Sequence, residues 1–151
     1  MKFATAAAVV LLASTALAQA ATKECLAPND IEAETAVRFQ AELMVMSDTC
    51  GTHTYTDFAR RNRDALVDYQ KQVIERFRRE HQSHAEAVFD SYLTRLANEV
   101  SLRSGTQPVA TVCQDAAQLL ATAETLNDAS FRRYIADSAA IHRADYRSCG
   151  N

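Results

Sequence analysis

Glycine and proline are scarce in this chain, and their scarcity is the feature that most constrains its fold. The sequence has three glycines and two prolines among 151 residues. Between them lie long stretches in which apolar residues recur every three or four positions. Few chain breakers and helical apolar spacing together predict an all-α protein. The five residues mark the expected helix ends: Pro28, Gly51, Gly105, Pro108 and Gly150.

The short connections between the expected helices predict an antiparallel bundle of four to five helices. The cysteines described below are expected to add two disulfides to this bundle. The first helix is expected to begin at Asn29 or Asp30 and to end at Asp48, and the second begins near Thr54. Asn62 interrupts the apolar stripe of the second helix. We therefore expect that turn to be less deeply buried.

The second and third apolar stripes belong to separate helices or to one sharply kinked helix. An unbroken helix through both would extend roughly 75 Å, which is too long for a compact domain of this size. A break is therefore expected near residues 81–84, although no glycine or proline lies there. The fourth helix is expected to open at Pro108, and the fifth to run from Asp128 to Ser148.

Residues 1–20 have the pattern of a secretory signal peptide. One lysine precedes an apolar run from Ala4 to Leu17, and small residues follow where a signal peptidase cuts. The run is shorter than the about 20 residues that cross a bilayer. We therefore expect a periplasmic or secreted protein with a signal peptide over residues 1–20. Residues 21–151 are expected to form a single helical domain, with no membrane span in the mature form.

An oxidising compartment predicts two disulfides among the four cysteines, which are Cys25, Cys50, Cys113 and Cys149. Cys25 and Cys50 flank the first helix, which would separate them by roughly 28 Å. Bonded Cα atoms lie only about 4.4–6.8 Å apart, so these two should not pair with each other. Cys25 then pairs with Cys113 or with Cys149, and Cys50 takes the other. Of these two arrangements we favour Cys25–Cys113 with Cys50–Cys149.

The charge pattern excludes some partners and suggests another. A formal net charge of −3 gives no electrostatic case for binding nucleic acid or an anionic membrane surface. The first helix is acidic and the second basic, so their opposite charges are expected to favour packing against each other. The alternative is that arginines of the second helix bind an acidic partner. They are Arg60, Arg61, Arg63, Arg76, Arg78 and Arg79.

Two histidines at helical spacing suggest a metal site. On one helical turn, His81 and His84 would share a face and chelate a divalent metal. A tight site needs further ligands, which only tertiary contacts could supply, and the alternative is a solvated polar helix junction. His142 lies on an otherwise apolar face and is expected to be a partly buried, hydrogen-bonded histidine.

Sequence motifs of enzymes are not found. The chain has no Gly-x-Ser-x-Gly elbow, phosphate-binding loop, dinucleotide fingerprint or His-Glu-x-x-His motif. We therefore expect neither catalysis nor a cofactor.

Several segments resemble a group of exported proteins. LMVMSDTC at residues 43–50 is followed by Tyr55 and Phe58, and later by TRLANE at residues 94–99. This pattern is similar to that of small exported helical proteins of proteobacteria that have no assigned activity. The resemblance implies a Gram-negative periplasm and no catalytic role.

Three functions are compatible with these features. The favoured one is a non-enzymatic accessory or protein-binding protein of the envelope, built on a disulfide-stapled helical scaffold and directed at an unidentified protein partner. The alternative is a periplasmic stress chaperone activated by acid, in which the histidines become charged and apolar stripes are exposed. The third is a metal-handling protein that uses His81 and His84.

Overall fold

A computed structural model describes residues 25–81 and 83–148 of the chain. This part forms six α-helices, a 3₁₀ turn and one two-residue strand pairing. The expected all-helical class is confirmed, whereas the expected number of helices, four to five, is too low. The expected signal peptide, residues 1–20, lies outside the described residues. The helices are α1 (Pro28–Thr49), α2 (Thr54–Arg61), α3 (Arg63–His81), α4 (Ala85–Ser104), α5 (Val109–Thr125) and α6 (Asp128–His142).

Helix α1 is the central element, and each of the other five helices packs against it. Ala33 and Ala36 are completely buried and Ala41 nearly so. Side chains of a single methyl group let neighbouring helices approach α1 closely on several sides. No helix in the described ranges combines the length and the apolar character needed to cross a membrane.

The directions of the helices follow from contacts along α1. Helix α3 meets α1 in reverse order, through Gln70 with Gln40 and Arg79 with Asp30, so the two helices are antiparallel. Helix α4 meets α1 in the same order along the chain and is therefore parallel to it. The expected antiparallel packing of consecutive helices holds for α1 with α3, and a parallel α1 and α4 is what such a bundle gives for helices that are next but one to each other.

Three phenylalanines from α1, α2 and α6 form the centre of the core. The ring centroid of Phe39 lies 5.5 Å from that of Phe58 and 5.6 Å from that of Phe131. Phe58 and Phe131 pack edge to face at 5.0 Å, and both are completely buried. Such aromatic pairs contribute about 0.5–1.5 kcal/mol each beyond their buried area. The cluster fixes α2 and α6 to the central helix.

The expected second helix is two helices, α2 and α3, because Asn62 bends the chain between them. Asn62 is completely buried, so the expectation of a shallow turn is wrong. Its side-chain amide donates to the carbonyl oxygens of Phe58 at 2.9 Å and Leu126 at 3.2 Å. A polar side chain inserted against the helix backbone is a recognised cause of a kink. The Leu126 partner is distant in sequence, so the apolar pattern alone does not reveal the bend.

The α2–α3 corner and the α5–α6 turn cap each other. Arg61 donates through Nη2 to the carbonyl oxygens of Ala123 at 3.0 Å and Glu124 at 3.1 Å, at the end of α5. In return, Asp128 Oδ1 accepts the backbone N–H of Ala65, in the first turn of α3, at 2.8 Å. Helix ends leave backbone groups without partners inside the helix. Each corner therefore supplies the polar partners that the other needs.

One disulfide is present in the described part of the chain, and it joins Cys50 to Cys113. The favoured arrangement, Cys25–Cys113 with Cys50–Cys149, is therefore wrong, while the exclusion of Cys25–Cys50 is confirmed. The physical reason is the position of α5, which begins beside the C-terminal end of α1 and brings the two Cα atoms to 5.6 Å. Cys149 lies outside the described residues.

Helices α3 and α4 are separate, which confirms the expected break near residues 81–84. Helix α3 ends at His81 and α4 begins at Ala85. His84 has a left-handed backbone, with φ of 67°. A non-glycine residue rarely adopts that conformation, so the break stores strain at His84.

Helix α6 ends at His142 and not at Ser148 as expected. A 3₁₀ turn, Arg143–Asp145, follows it, and the strand Arg147–Ser148 then pairs in parallel with Cys25–Leu26. This pairing brings the beginning and the end of the described chain together. It lies beside a small apolar cluster of Leu26, Ile31 and Ala139.

Candidate functional site

Two of the six arginines proposed to bind a partner hold helices together. Arg76 Nη2 lies 3.1 Å from Glu34 Oε2, and Arg79 Nη2 lies 2.9 Å from Asp30 Oδ1. Both pairs join α3 to α1, which confirms that the opposite charges of these helices favour packing. Arg76 is only 3% exposed, so it is not accessible to a partner.

The other four arginines are exposed, and three of them also have partners within the protein. Arg61 caps α5, as described above, and Arg78 bonds to Glu86 at 2.9 Å across the break between α3 and α4. Arg60 pairs with Asp57 within α2 at 2.8 Å, and Arg63 is exposed. Most of these arginines therefore make contacts between or within helices, and binding of an acidic partner by the exposed ones stays a prediction.

A buried carboxylate, Glu34 of α1, is the centre of a polar network. It is 3% exposed. It accepts hydrogen bonds from Arg38 Nε at 2.8 Å, from Arg76 Nη2 at 3.1 Å and from the Tyr92 hydroxyl. Burial and then the nearby charge of Glu34 raise the pKa of Tyr92 well above its ordinary value, so the phenol stays protonated and donates. Partners of this kind are what a buried charge requires.

The network joins two guanidinium groups to one carboxylate. Arg76 is buried, whereas the Arg38 side chain is 51% exposed. The network therefore reaches solvent at Arg38. Arg38 uses Nε to bind Glu34, and no acceptor within residues 25–81 and 83–148 bonds to its two Nη groups.

Arg38 lines a cleft of about 470 Å³ between α4 and α6. These two helices each pack on α1 but not closely on each other, so α1 forms the floor of the cleft. Its apolar lining comes from Phe39, Ala41, Leu96, Val100 and Ile135. Its polar lining includes Arg38, Glu42, Glu99, Arg103, Ser138 and His142.

The carboxylates in this cleft have cationic partners. Glu42 Oε1 lies 3.6 Å from Arg103 Nη2, and Glu99 Oε1 lies 3.9 Å from Arg95 Nε. The Glu42–Arg103 pair also borders a second cavity of about 240 Å³, between α4 and α5. The pair thus separates two hollows that share the α1–α4 surface.

His81 and His84, the residues of the predicted metal site, lie on opposite sides of the break between α3 and α4, and a metal site at these residues stays a prediction. Helix α3 ends at His81 and His84 precedes α4, so the two residues do not lie on one helical turn. Among the described residues, no group of three or more His, Cys, Asp and Glu side chains is placed to hold a metal ion. His142 lines the cleft but is exposed, so the expectation of partial burial is wrong.

The polar network of Glu34 and Tyr92, and the cleft beside it, are not predicted by the sequence. One signal for Glu34 was available, because it lies three residues from both Ile31 and Val37 on the buried stripe of α1. A carboxylate in such a stripe needs buried partners. Nothing in the sequence indicates the cleft, because it arises from the spacing of α4 and α6, which are distant in sequence.

Comparison with known proteins adds no relative to this description. The chain matches no protein-family model, no curated protein and no solved structure.

Proposed function

We propose that this protein is an exported, non-enzymatic binding protein of the bacterial envelope, and that the cleft between α4 and α6 is its binding element. The cleft is the observation that carries the proposal. Its volume of about 470 Å³ lies within the range of about 300–1,000 Å³ typical of ligand sites. An apolar floor with a few polar groups is also the usual composition of such sites.

Both walls of the cleft are attached to the same central helix. Tyr92 ties α4 to α1 through the hydroxyl bond to Glu34. Phe131 ties α6 to α1 by packing 5.6 Å from Phe39. Walls that are fixed before binding reduce the ordering cost of binding, which favours a binding function.

Two features support export. Residues 1–20 have the signal-peptide pattern, and a disulfide such as Cys50–Cys113 persists in an oxidising compartment. With that bond formed, Cys25 and Cys149 remain, and we propose that they form a second disulfide. Support comes from the strand pairing that sets Cys25 opposite Arg147, close to Cys149 in the sequence. Mass spectrometry of the protein from the periplasm, without reduction, tests the cleavage and both bonds.

Site-specific photo-cross-linking tests the proposed binding element. A photoreactive residue replaces Ser138 in the cleft, and the matched control replaces exposed Lys71 on α3, which does not line it. In intact cells at neutral pH, we expect discrete cross-linked species at Ser138 and none at Lys71. Equal labelling at both positions, or none at either, would contradict the proposal. Many products that appear only at acidic pH would instead favour the chaperone function.

A further inference from the structure

We infer that the cleft and the second cavity form one site for an amphiphile that has a single alkyl chain and a polar head without net charge. The head lies in the cleft between α4 and α6, and the chain enters the cavity between α4 and α5. The inference rests on the proposed function, because it names the ligand class of the same cleft. Three observations carry it: a shared floor, an apolar second cavity, and balanced charges in the cleft.

The cleft and the second cavity share a floor and are divided by an ion pair at the solvent side. Val100 lines both and is 5% exposed, so it belongs to the floor. Glu42 and Arg103 also line both, but their side chains are 46% and 69% exposed. Their charged atoms lie 3.6 Å apart, farther than in a hydrogen bond, and exposed pairs of this kind stabilise little. An alkyl chain can therefore pass between the two spaces by displacing this pair.

The second cavity has an apolar interior. Leu119 packs against a buried cluster of four other lining residues, which are Met46, Val100, Val112 and Ala116. The Ser104 hydroxyl already donates to the carbonyl oxygen of Val100 at 2.9 Å. Gln107 and Asp115 are exposed, so their polar groups face water. Such an interior suits methylene groups, because an amide would lose its hydrogen bonds with water there.

The size of the second cavity suits one part of a ligand. Its volume of about 240 Å³ is below the about 300 Å³ at which typical ligand sites begin, whereas the cleft lies within that range. Helix faces also offer a peptide few backbone partners, because N–H and C=O groups bond to each other within a helix. An alkyl chain needs no such partners and is therefore favoured over a peptide segment.

The charged residues that line the cleft balance one another. They are two arginines and two glutamates, with the one histidine counted as neutral: Arg38, Arg103, Glu42, Glu99 and His142. The side chains of Arg38 and Glu99 are 51% and 53% exposed, so groups of both signs are accessible. A zwitterionic head meets both signs in the cleft, whereas a head with net charge meets no excess of the opposite charge.

Calorimetric titration of the mature, oxidised protein tests the inference. The probes are hexyl-, octyl- and decylphosphocholine below their micelle-forming concentrations, which share a zwitterionic head and differ in chain length. We expect the affinity to rise at least about tenfold for each two methylene groups that enter the second cavity, because each buried methylene contributes to binding. Equal affinity for the three probes would overturn the inference.

Two further sets of probes test the head and the source of the chain. Decyltrimethylammonium and decanesulfonate have the same chain with one net charge, and both should bind several-fold more weakly than decylphosphocholine. Tighter binding of either one would overturn the head without net charge. Vesicles of phosphatidylcholine present the same head in a bilayer, and we expect no co-sedimentation with them, because the site takes a free single chain. Co-sedimentation would assign the site to a membrane surface instead.

Three variants locate the chain and the head. Ser104→Phe fills only the second cavity, so decylphosphocholine should fall to the affinity of hexylphosphocholine. Ser138→Phe fills only the cleft and should weaken all three probes. The matched control is Ala117→Phe, at an exposed position of α5 that lines neither space, and it should change none. Circular dichroism checks that each variant folds.

A measurement on the unaltered protein locates the chain independently of these variants. Nuclear Overhauser contacts should connect the decyl chain of bound decylphosphocholine with the methyl groups of Met46 and Val112, which line the second cavity but not the cleft. Contacts with Leu96 and none with those two residues would place the chain in the cleft and overturn the inference.

Some results would overturn the inference without touching the proposed function. If Ser104→Phe keeps the full dependence on chain length, the chain does not enter the second cavity. If no phosphocholine probe binds at millimolar concentration, the ligand class is wrong, while cross-linking at Ser138 would still support a binding cleft. Loss of that cross-linking would count against the proposed function itself.

Discussion

Replacement of Glu34 by glutamine should destabilise the protein strongly, because it removes the carboxylate that lies against the buried guanidinium group of Arg76. Both residues are 3% exposed, and their charged atoms lie 3.1 Å apart. Removing one partner of such a pair typically costs about 3–5 kcal/mol. Glutamine keeps the size of the side chain, so the loss reports on charge more than on packing.

The matched control is Asp30→Asn. Asp30 and Arg79 also connect α1 to α3, with both carboxylate oxygens 2.9 Å from Arg79 Nη2. That pair is partly exposed, and exposed pairs contribute about 0–1 kcal/mol. Urea unfolding followed by far-ultraviolet circular dichroism, with the disulfides intact, gives the free energy of unfolding of each variant.

The double variant Glu34→Gln with Arg76→Gln adds a further check. If the loss of stability arises because the buried charge of Arg76 no longer faces a carboxylate at Glu34, removing that charge as well should recover part of the lost stability. Equal costs for Glu34→Gln and Asp30→Asn would refute the buried-charge explanation. A double variant less stable than Glu34→Gln alone would also contradict it.

Three other substitutions test the scaffold by the same unfolding assay. Asn62→Ala should lower the free energy of unfolding by about 1–3 kcal/mol, because the buried carbonyl oxygen of Leu126 loses the 3.2 Å hydrogen bond from the Asn62 amide. An unchanged free energy of unfolding would contradict the proposed cause of the kink. The double variant Cys50→Ser with Cys113→Ser removes a disulfide that spans 63 residues, and it should lower the free energy of unfolding by about 4 kcal/mol on the chain-entropy account. A urea midpoint equal to that of the wild type would show that the disulfide does not stabilise the bundle. His84→Gly should raise the free energy of unfolding by about 1 kcal/mol, because glycine adopts the left-handed backbone at φ of 67° without strain. A lower urea midpoint would mean that the contacts of the His84 side chain stabilise the protein more than the strain destabilises it.

The helix boundaries were largely predictable because they depend on local chemistry. Pro28 begins α1 and Gly51 follows it, with φ of 64° in the turn. Gly105 and Pro108 flank the connection between α4 and α5. The break before α4 was expected from the size of the domain, although no glycine or proline lies at residues 81–84.

The errors concern contacts between residues that are distant in sequence. Asn62 looked like an exposed interruption of an apolar stripe because its carbonyl partner belongs to Leu126. The pairing of Cys50 with Cys113 depends on where α5 begins in space. The cleft has the same origin, because its walls are α4 and α6 and its floor is α1. Composition and periodicity indicate the apolar faces of the helices but not which helices meet.

The most direct test of the binding cleft is to fill it with a large side chain and to measure how much of the cross-linking is lost. A photoreactive residue at Glu99, on the α4 wall, is introduced into the wild-type chain and into the Ser138→Phe variant, and cross-linked products are quantified in intact cells. A binding cleft predicts discrete products in the wild type and their loss in Ser138→Phe, at equal protein levels. Unchanged products in the filled variant would show that the partner binds elsewhere and would contradict the account.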